Sequence, residues 1–364
     1  LAAQIRTGYE AAAPPARNQP IKVACVGAGE IVRATHLPLL KGMPGVHVEW
    51  ITDTNHARGR ELAKVHEVPF LPLTNSINDL PPADVYLLAC PFGVRDPYYA
   101  ALKDRNVALY VEKPFARSAK RHREICADFP GYALASGLMM RSWGPNLLVR
   151  SILQQQVFGA VREVRFGFGK PGLVTQGNYY FDSKRGGAGM MSEVGIHGID
   201  SVLFIADAVT ADIHSVRMIL EGDLDLHTEA QLRLHRADDT QCNLRFTISS
   251  LEETIEGIEV ECENATLSYP LPGQGYALIG EKVDMGVTVR PTRGGGTYTI
   301  GPSYLPLYPA TKFQMFFENW STFLRGIKNR EENFTSAASS LLTTQVIENC
   351  YQSQVAPASG DRND

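Results

Sequence analysis

The hydrophobic rhythm of the chain changes about a third of the way along. From Ile21 onwards, short unbroken apolar runs alternate with stretches of helical spacing. "IKVACVGAGE" is an apolar strand running into a glycine turn, followed by a helical stretch through Leu40. "VHVEWITD" is a second strand ending at Asp53, and "NHARGRELAKVH" has helical spacing. "ADVYLLAC", "VALYVEKP" and "YALASG" are further strands, with helices in "RDPYYAALKDRN" and "RSAKRHREICADF". Continuous apolar strands need cover on both faces, and helices supply it in a parallel sheet. The pattern predicts an α/β, doubly wound parallel sheet over 21–137.

Beyond it the rhythm becomes that of strands. After a helix near 145–156 come "AVREVRFGFG", "ADIHSVRMIL", "EAQLRLHR", "TQCNLRFTI", "TIEGIEVEC" and "ATLSYPL". Alternation such as that in "EAQLRLHR" marks an antiparallel sheet with one solvated or helix-covered face. One helix, about 193–206, precedes most of these strands, and two more, near 312–328 and 336–352, close the chain. Thr335 or Ser336 is the expected cap of the last. Gly and Pro are dense over 271–310, which predicts a long loop. The expected organisation is an arm (1–20), the doubly wound domain (21–137), an α+β domain with a large, mostly antiparallel sheet (138–352) and a tail (353–364).

Composition narrows the function classes. At 364 residues the chain is too long for one ordinary core. It is 44% hydrophobic and 20% charged, a globular balance. A net charge of -4 lacks the basic surplus of nucleic-acid binders, so no nucleic acid is expected. The six cysteines are scattered, with no CxxC pair and no Cys/His group at zinc spacing. No metal and a reduced, cytoplasmic setting are the expectations. No apolar run reaches the roughly 18 residues that a membrane span needs, so no membrane partner is expected.

Chemistry enters at the glycine turn. Gly27 and Gly29 follow a buried strand and open a helix, the context of a Rossmann dinucleotide site. Gly27 suits the tight turn. Gly29 lets backbone N–H groups approach a pyrophosphate, which then faces the helix N-terminus at Glu30 and Ile31. Val32 stands at the third glycine position, which serves packing rather than phosphate contact. Asp53 can accept from both ribose hydroxyls and would repel a 2′-phosphate, so NAD is favoured over NADP.

Ligands sit at the carboxyl ends of such strands. The ends here are Cys90-Pro91, with Arg95 downstream, and Glu112-Lys113-Pro114. Lys113 can donate to a substrate oxygen and stabilise alkoxide charge. On its own it equally reads as a lysine opening an exposed loop. In "GGAGMMSEVGIHGID", Glu193 and His197 are spaced i, i+4, with Asp200 near the same face. A carboxylate beside an imidazole fixes its tautomer and raises its basicity, which suits a general base. A capping acid and a packed core histidine give the same pattern.

Together these segments resemble the Gfo/Idh/MocA family of sugar and cyclitol oxidoreductases. "VGAGEIVRATHLPLL", "YVEKPFA", "GLMMRSWGP", "EVGIHGID" and "NFTSAASSLLTTQVIENCY" match in order over about 21–352. The resemblance implies that Lys113 is the family's active-site lysine, His197 its usual catalytic histidine and Glu193 the counterpart of its usual aspartate. It carries Cys90, Pro91, Arg95, Glu112 and Lys113 into the cofactor site, with Gly27, Gly29, Glu30, Ile31 and Asp53. It carries Lys113, Arg141, Glu193 and His197 into the substrate site. It also implies a homodimer or homotetramer. Three departures stand out: Glu193 for aspartate, Arg95 where histidine is frequent, and Met139 and Met140 at often polar positions. The expected activity is hydride transfer between NAD(H) and a secondary alcohol or ketone of a sugar, cyclitol or derivative. The alternatives are a redox-neutral enzyme with permanently bound NAD and a non-catalytic nucleotide sensor.

Overall fold

The structure, a computed structural model, describes residues 19–73, 77–172, 189–254, 256–271, 286–301 and 311–355. Most of the expected arm, residues 356–364 of the expected tail, and residues 272–285 and 302–310 of the expected loop lie outside the described residues. The described chain falls into two compact units. The first holds the described residues up to Leu147, Gly301 and 311–341. The second holds those within Leu148–Leu271 and Gly286–Ile300, and 342–355.

In the first unit, β1 (Ile21–Val26), β2 (Val46–Thr52), β3 (Val85–Leu88), β4 (Ala108–Val111) and β5 (Leu134–Ser136) form a parallel sheet. Their order is β2-β1-β3-β4-β5, which reverses direction between β1 and β3. That reversal opens a crevice at the carboxyl ends of β1 and β3. Every residue of β3 and β4 is buried, which accounts for their unbroken apolar sequence. Local signals set the helix ends. Asn55 Oδ1 accepts from Arg58 N–H at 3.1 Å to open His56–His66, and Ser118 Oγ from Arg121 N–H at 3.2 Å to open Ala119–Asp128.

The helix Lys312–Asn329 also belongs to the first unit, whereas the sequence pattern grouped it with the second domain. Periodicity identifies a helix but not the surface that receives it. Trp320 stacks on Tyr110 of β4, with ring centroids 4.2 Å apart and planes 9° from parallel. Asn319 Oδ1 accepts from the Tyr110 hydroxyl at 2.7 Å. Such an aromatic pair adds about 0.5–1.5 kcal/mol beyond its area burial. A capping box at Thr311 and Gln314 starts the helix.

His122 lies fully buried in this unit, donating from Nε2 to the Ala337 carbonyl at 2.8 Å. Burial pulls its pKa from 6.5 to about 4, with the carbonyl working against it. Unfolded chains therefore take up a proton that the folded chain refuses as pH falls from 6.5 towards 4. The fold should lose on the order of 3 kcal/mol over that window, at about 1.4 kcal/mol per pKa unit. His122→Gln should flatten this part of the acid dependence in urea melts at successive pH values. An unchanged dependence would remove His122 from the account.

The second unit is built on β6 (Val161–Gly169), β7 (Ala208–Glu221), β8 (Leu224–Arg236), β9 (Gln241–Ser249), β10 (Gly257–Cys262), β11 (Ala265–Tyr269), β12 (Val287–Pro291) and β13 (Tyr298–Ile300). The order is β13-β12-β11-β10-β6-β9-β8-β7, antiparallel throughout except for the parallel pair β6 and β9. The large, mostly antiparallel sheet was expected. Strands β12 and β13 were not, because they fall in the stretch whose Gly and Pro content predicts loop. Those glycines include the turn between the two strands, where Gly294 and Gly295 have φ of +60° and +86°.

A continuous helical run packs on this sheet, π-helical over Met191–Gly195 and α-helical over Ile196–Ile205. A Cβ at Gly195 would strike the Ile248 side chain, and one at Gly198 the Phe166 ring. These two glycines let the helix lie close to the sheet.

Candidate active site

At the end of β1, Gly27 has φ of +113°, and a Cβ there would sit 2.8 Å from the Ala89 carbonyl oxygen beyond β3. Only glycine fits so tight a turn in that conformation. A Cβ at Gly29 would meet nothing within 4 Å. Glu30 and Ile31 then open the helical run that continues through Val32–His36 and Leu37–Gly42. The first N–H groups of a helix have no intrahelical partner, so this open turn fits a nucleotide pyrophosphate.

Asp53 follows β2 and is buried beside the turn. Its Oδ2 accepts from Ala28 N–H at 2.6 Å and its Oδ1 from Asn55 N–H at 2.7 Å. Arg58 Nη2 reaches both oxygens, at 3.0 and 2.9 Å. Four donor contacts fill the usual acceptor capacity of a carboxylate. A ribose diol would have to take the place of Arg58, whose side chain is half exposed. Arg58 was not singled out in the sequence.

The Glu112-Lys113-Pro114 segment is held from several sides. Arg95 is buried and donates from Nε to the Cys90 carbonyl at 2.9 Å. Its Nη1 donates to the carbonyls of Glu112 and Pro114 at 2.5 and 2.6 Å. Arg95 thus ties the Cys90-Pro91 strand end to the residues flanking Lys113. Glu112 Oε2 accepts from Lys113 N–H at 3.2 Å, while Lys113 itself is half-buried.

His36 belongs to this arrangement. Trp320 Nε1 donates to its Nδ1 at 3.0 Å, and its Nε2 lies 2.8 Å from Glu112 Oε1. An indole N–H can only donate, so Nδ1 carries no proton and Nε2–H donates to Glu112. Gly137 leaves room for that carboxylate, since a Cβ there would lie 2.9 Å from Oε1. Lys312 is a further residue missed from sequence. Burial lowers its pKa, the charges of Glu112 and Glu30 oppose that shift, and Lys113 adds to it. No local pattern signals these partners, because they lie some 80 to 280 positions apart.

In the second unit Glu193 is buried and His197 is half-buried. Both lie on the one helical run, as the spacing predicts, although Glu193 falls in its π-helical turn. Such turns are frequent at functional sites. Asp200 accepts from the Thr343 hydroxyl at 2.8 Å, which ties this helix to the last one. Arg141, in the first unit, donates to the Phe334 carbonyl at 2.8 Å and to the Ser339 hydroxyl and carbonyl at 2.6 and 3.1 Å. These donors face the chain's own loop.

Among the described residues one group, His227, Glu229 and Glu252, has metal-ligating atoms within 4.8 Å of one another. Ser249 Oγ accepts from the Leu251 and Glu252 amides at 3.1 and 3.2 Å, so its hydroxyl donates to His227 Nδ1 at 3.1 Å. The ring proton is then on Nε2, facing Glu229 at 3.4 Å.

Comparison with known proteins agrees with the two-unit arrangement. A family model described as "Oxidoreductase family, NAD-binding Rossmann fold" matches residues 21–129, and one described as "GFO/IDH/MocA C-terminal domain" matches 147–268. Together they span more than half of the chain. No curated protein sequence matches it. Among solved structures, KijD10, a 3-ketoreductase from Actinomadura kijaniata in complex with NADP and TDP-benzene, is similar at 16% identity and TM-score 0.73, covering 91% of this chain and 96% of its own. Levoglucosan dehydrogenase in complex with NADH and L-sorbose is similar at 14% identity and TM-score 0.75, covering 92% and 96%. An oxidoreductase from Agrobacterium radiobacter, in complex with NAD+, L-tartaric acid and magnesium, is similar at 18% identity and TM-score 0.70, with the same coverage. At these identities the likeness speaks for the fold.

Proposed function

We propose that this chain, which belongs to the GFO/IDH/MocA oxidoreductase family, transfers a hydride between NAD(H) and a secondary alcohol or ketone of a sugar, cyclitol or related polyol. The observation that carries the reading is the open glycine turn at the β1/β3 crevice, with Asp53 bonded to its Ala28 amide. Gly27, Gly29 and the amides of Glu30 and Ile31 would hold the pyrophosphate, and Asp53 the adenosine ribose. Bound nicotinamide supplies the acceptor or donor of the hydride. In the oxidising direction His197 removes the hydroxyl proton through an imidazole nitrogen, and Glu193 orients that ring. Lys113 donates from Nζ to a substrate oxygen and stabilises the charge that develops there. L-Sorbose in the levoglucosan dehydrogenase structure supports the substrate class.

The test is a fluorescence titration with NADH and NADPH, followed by a screen of sugars and cyclitols at the nicotinamide absorbance band. Saturable NADH binding with turnover on a polyol supports the reading. Failure of nucleotide-free protein to bind either cofactor overturns it. Nucleotide that survives gel filtration in stoichiometric amount would replace it with a redox-neutral reaction through transient oxidation.

Cofactor choice rests on the Asp53–Arg58 pair. Arg58 offsets much of the negative charge that would repel a 2′-phosphate, yet Asp53 occupies it. Asp53→Ser keeps an acceptor for Ala28 N–H and releases the guanidinium. Hydrogen bonds to charged groups contribute about 1.5–3 kcal/mol, so NADH should bind roughly 10- to 100-fold more weakly. NADPH should gain by a comparable factor as Arg58 meets the phosphate. Unchanged affinities for both cofactors would remove this pair from the discrimination.

A further inference from the structure

A buried carboxylate stands at the start of the helical run that carries Glu193 and His197. Asp225, the second residue of β8, is fully buried. Its Oδ2 accepts from Met191 N–H at 2.9 Å and from the Thr228 hydroxyl at 3.1 Å. Its Oδ1 accepts a short bond from the hydroxyl of Tyr351, on the closing helix Leu341–Val355. The Tyr351 hydroxyl also bonds to the side chain of Ser192. The two residues immediately before Glu193 are thus engaged by this pair. Gly189 completes the fit. Its φ is +77°, and a Cβ there would strike Asp225 Oδ1 and lie 2.6 Å from the Asp225 amide. The glycine that opens the described part of this helical run is therefore matched to the carboxylate beneath it.

The arrangement is an N-cap supplied by another strand. A helix start leaves N–H groups without intrahelical partners, and a carboxylate there both accepts from them and suits the helix dipole. Burial raises the Asp225 pKa, while the bonds from Tyr351, Met191 and Thr228 work to hold it ionised. A buried carboxylate is costly unless fully bonded, so the stable geometry is the one in which all three donors converge. That condition fixes where the π-helical turn begins, and with it the direction in which Glu193 and His197 project.

We propose that Asp225 and Tyr351 are positioning residues for the Glu193–His197 pair. The inference rests on the catalytic reading above. Neither side chain is assigned a contact with substrate or nucleotide.

Tyr351→Phe keeps the ring and removes one donor. Thr228→Val keeps the shape and removes another, so either variant decides if the other fails to fold. In the full-length protein, hydrogen exchange of peptides spanning 189–199 should quicken about tenfold, with the remaining strands of the second unit unchanged. The His197 ring titration, followed by NMR, should shift. Turnover should fall about tenfold at unchanged nucleotide KM, and the pH profile of kcat should move with the ring titration. Exchange and ring titration at wild-type values would overturn the proposal. So would altered exchange with wild-type kcat and pH profile, which describes a merely structural contact. If the unaltered protein turns over no alcohol or ketone, the catalytic reading fails, while the ring titration still decides whether Asp225 and Tyr351 set the environment of His197.

Discussion

Replacing His197 by alanine is expected to lower kcat by about 10²- to 10⁴-fold, the usual contribution of a positioned general base. NADH affinity should stay near that of the unaltered protein, because the glycine turn and Asp53 belong to the first unit. The fold should tolerate the change. His197 is only half-buried, and the side of its helix that meets the sheet is built from Gly195 and Gly198. Steady-state kinetics and a nucleotide titration on the same preparation check both halves of the expectation. Near-normal turnover in His197→Ala would show that the proton leaves by another route.

Replacing Lys113 by methionine is expected to lower kcat/KM by about 10²- to 10³-fold. That is the scale seen when one donor to a developing oxyanion is removed, about 3–4 kcal/mol. Methionine keeps the length and apolar body of the side chain while removing its charge. The segment should keep its shape, because the bonds that hold it involve main-chain atoms. Arg95 grips the carbonyls on either side, and Glu112 accepts from the Lys113 amide. A loss confined to KM would make Lys113 a binding residue without a share in the chemical step. Unchanged kcat and KM would exclude it from both.

The expectations from sequence and the structure differ in an orderly way. Unbroken apolar runs located the first sheet and apolar–polar alternation the second, and the glycine turn with its acid was legible because its parts are adjacent or one strand apart. Arg58 lay within the same short reach, but guanidinium at a helix start is too common to signal itself. The role of Arg95 in gripping three carbonyls had no local signature, since an arginine after a strand reads alike whether it meets phosphate or backbone. Strands β12 and β13 were hidden because Gly294 and Gly295 weigh towards loop in composition while serving as the turn of a hairpin.

Local chemistry therefore carried far in this chain. Hydrophobic periodicity set the α/β character of the first unit and the antiparallel character of the second. The steric freedom of glycine marked Gly27 and Gly29, and helical spacing put Glu193 and His197 on one run. Packing settled the rest. The helix Lys312–Asn329 joins the parallel sheet because Trp320 finds Tyr110, His36 takes a single tautomer because an indole donates to it, and Asp225 accepts from the Met191 amide, 34 residues earlier, near the start of another helical run. Buried polar groups must find partners wherever the fold brings them, and those partners come from distant stretches of chain whose meeting no local pattern encodes.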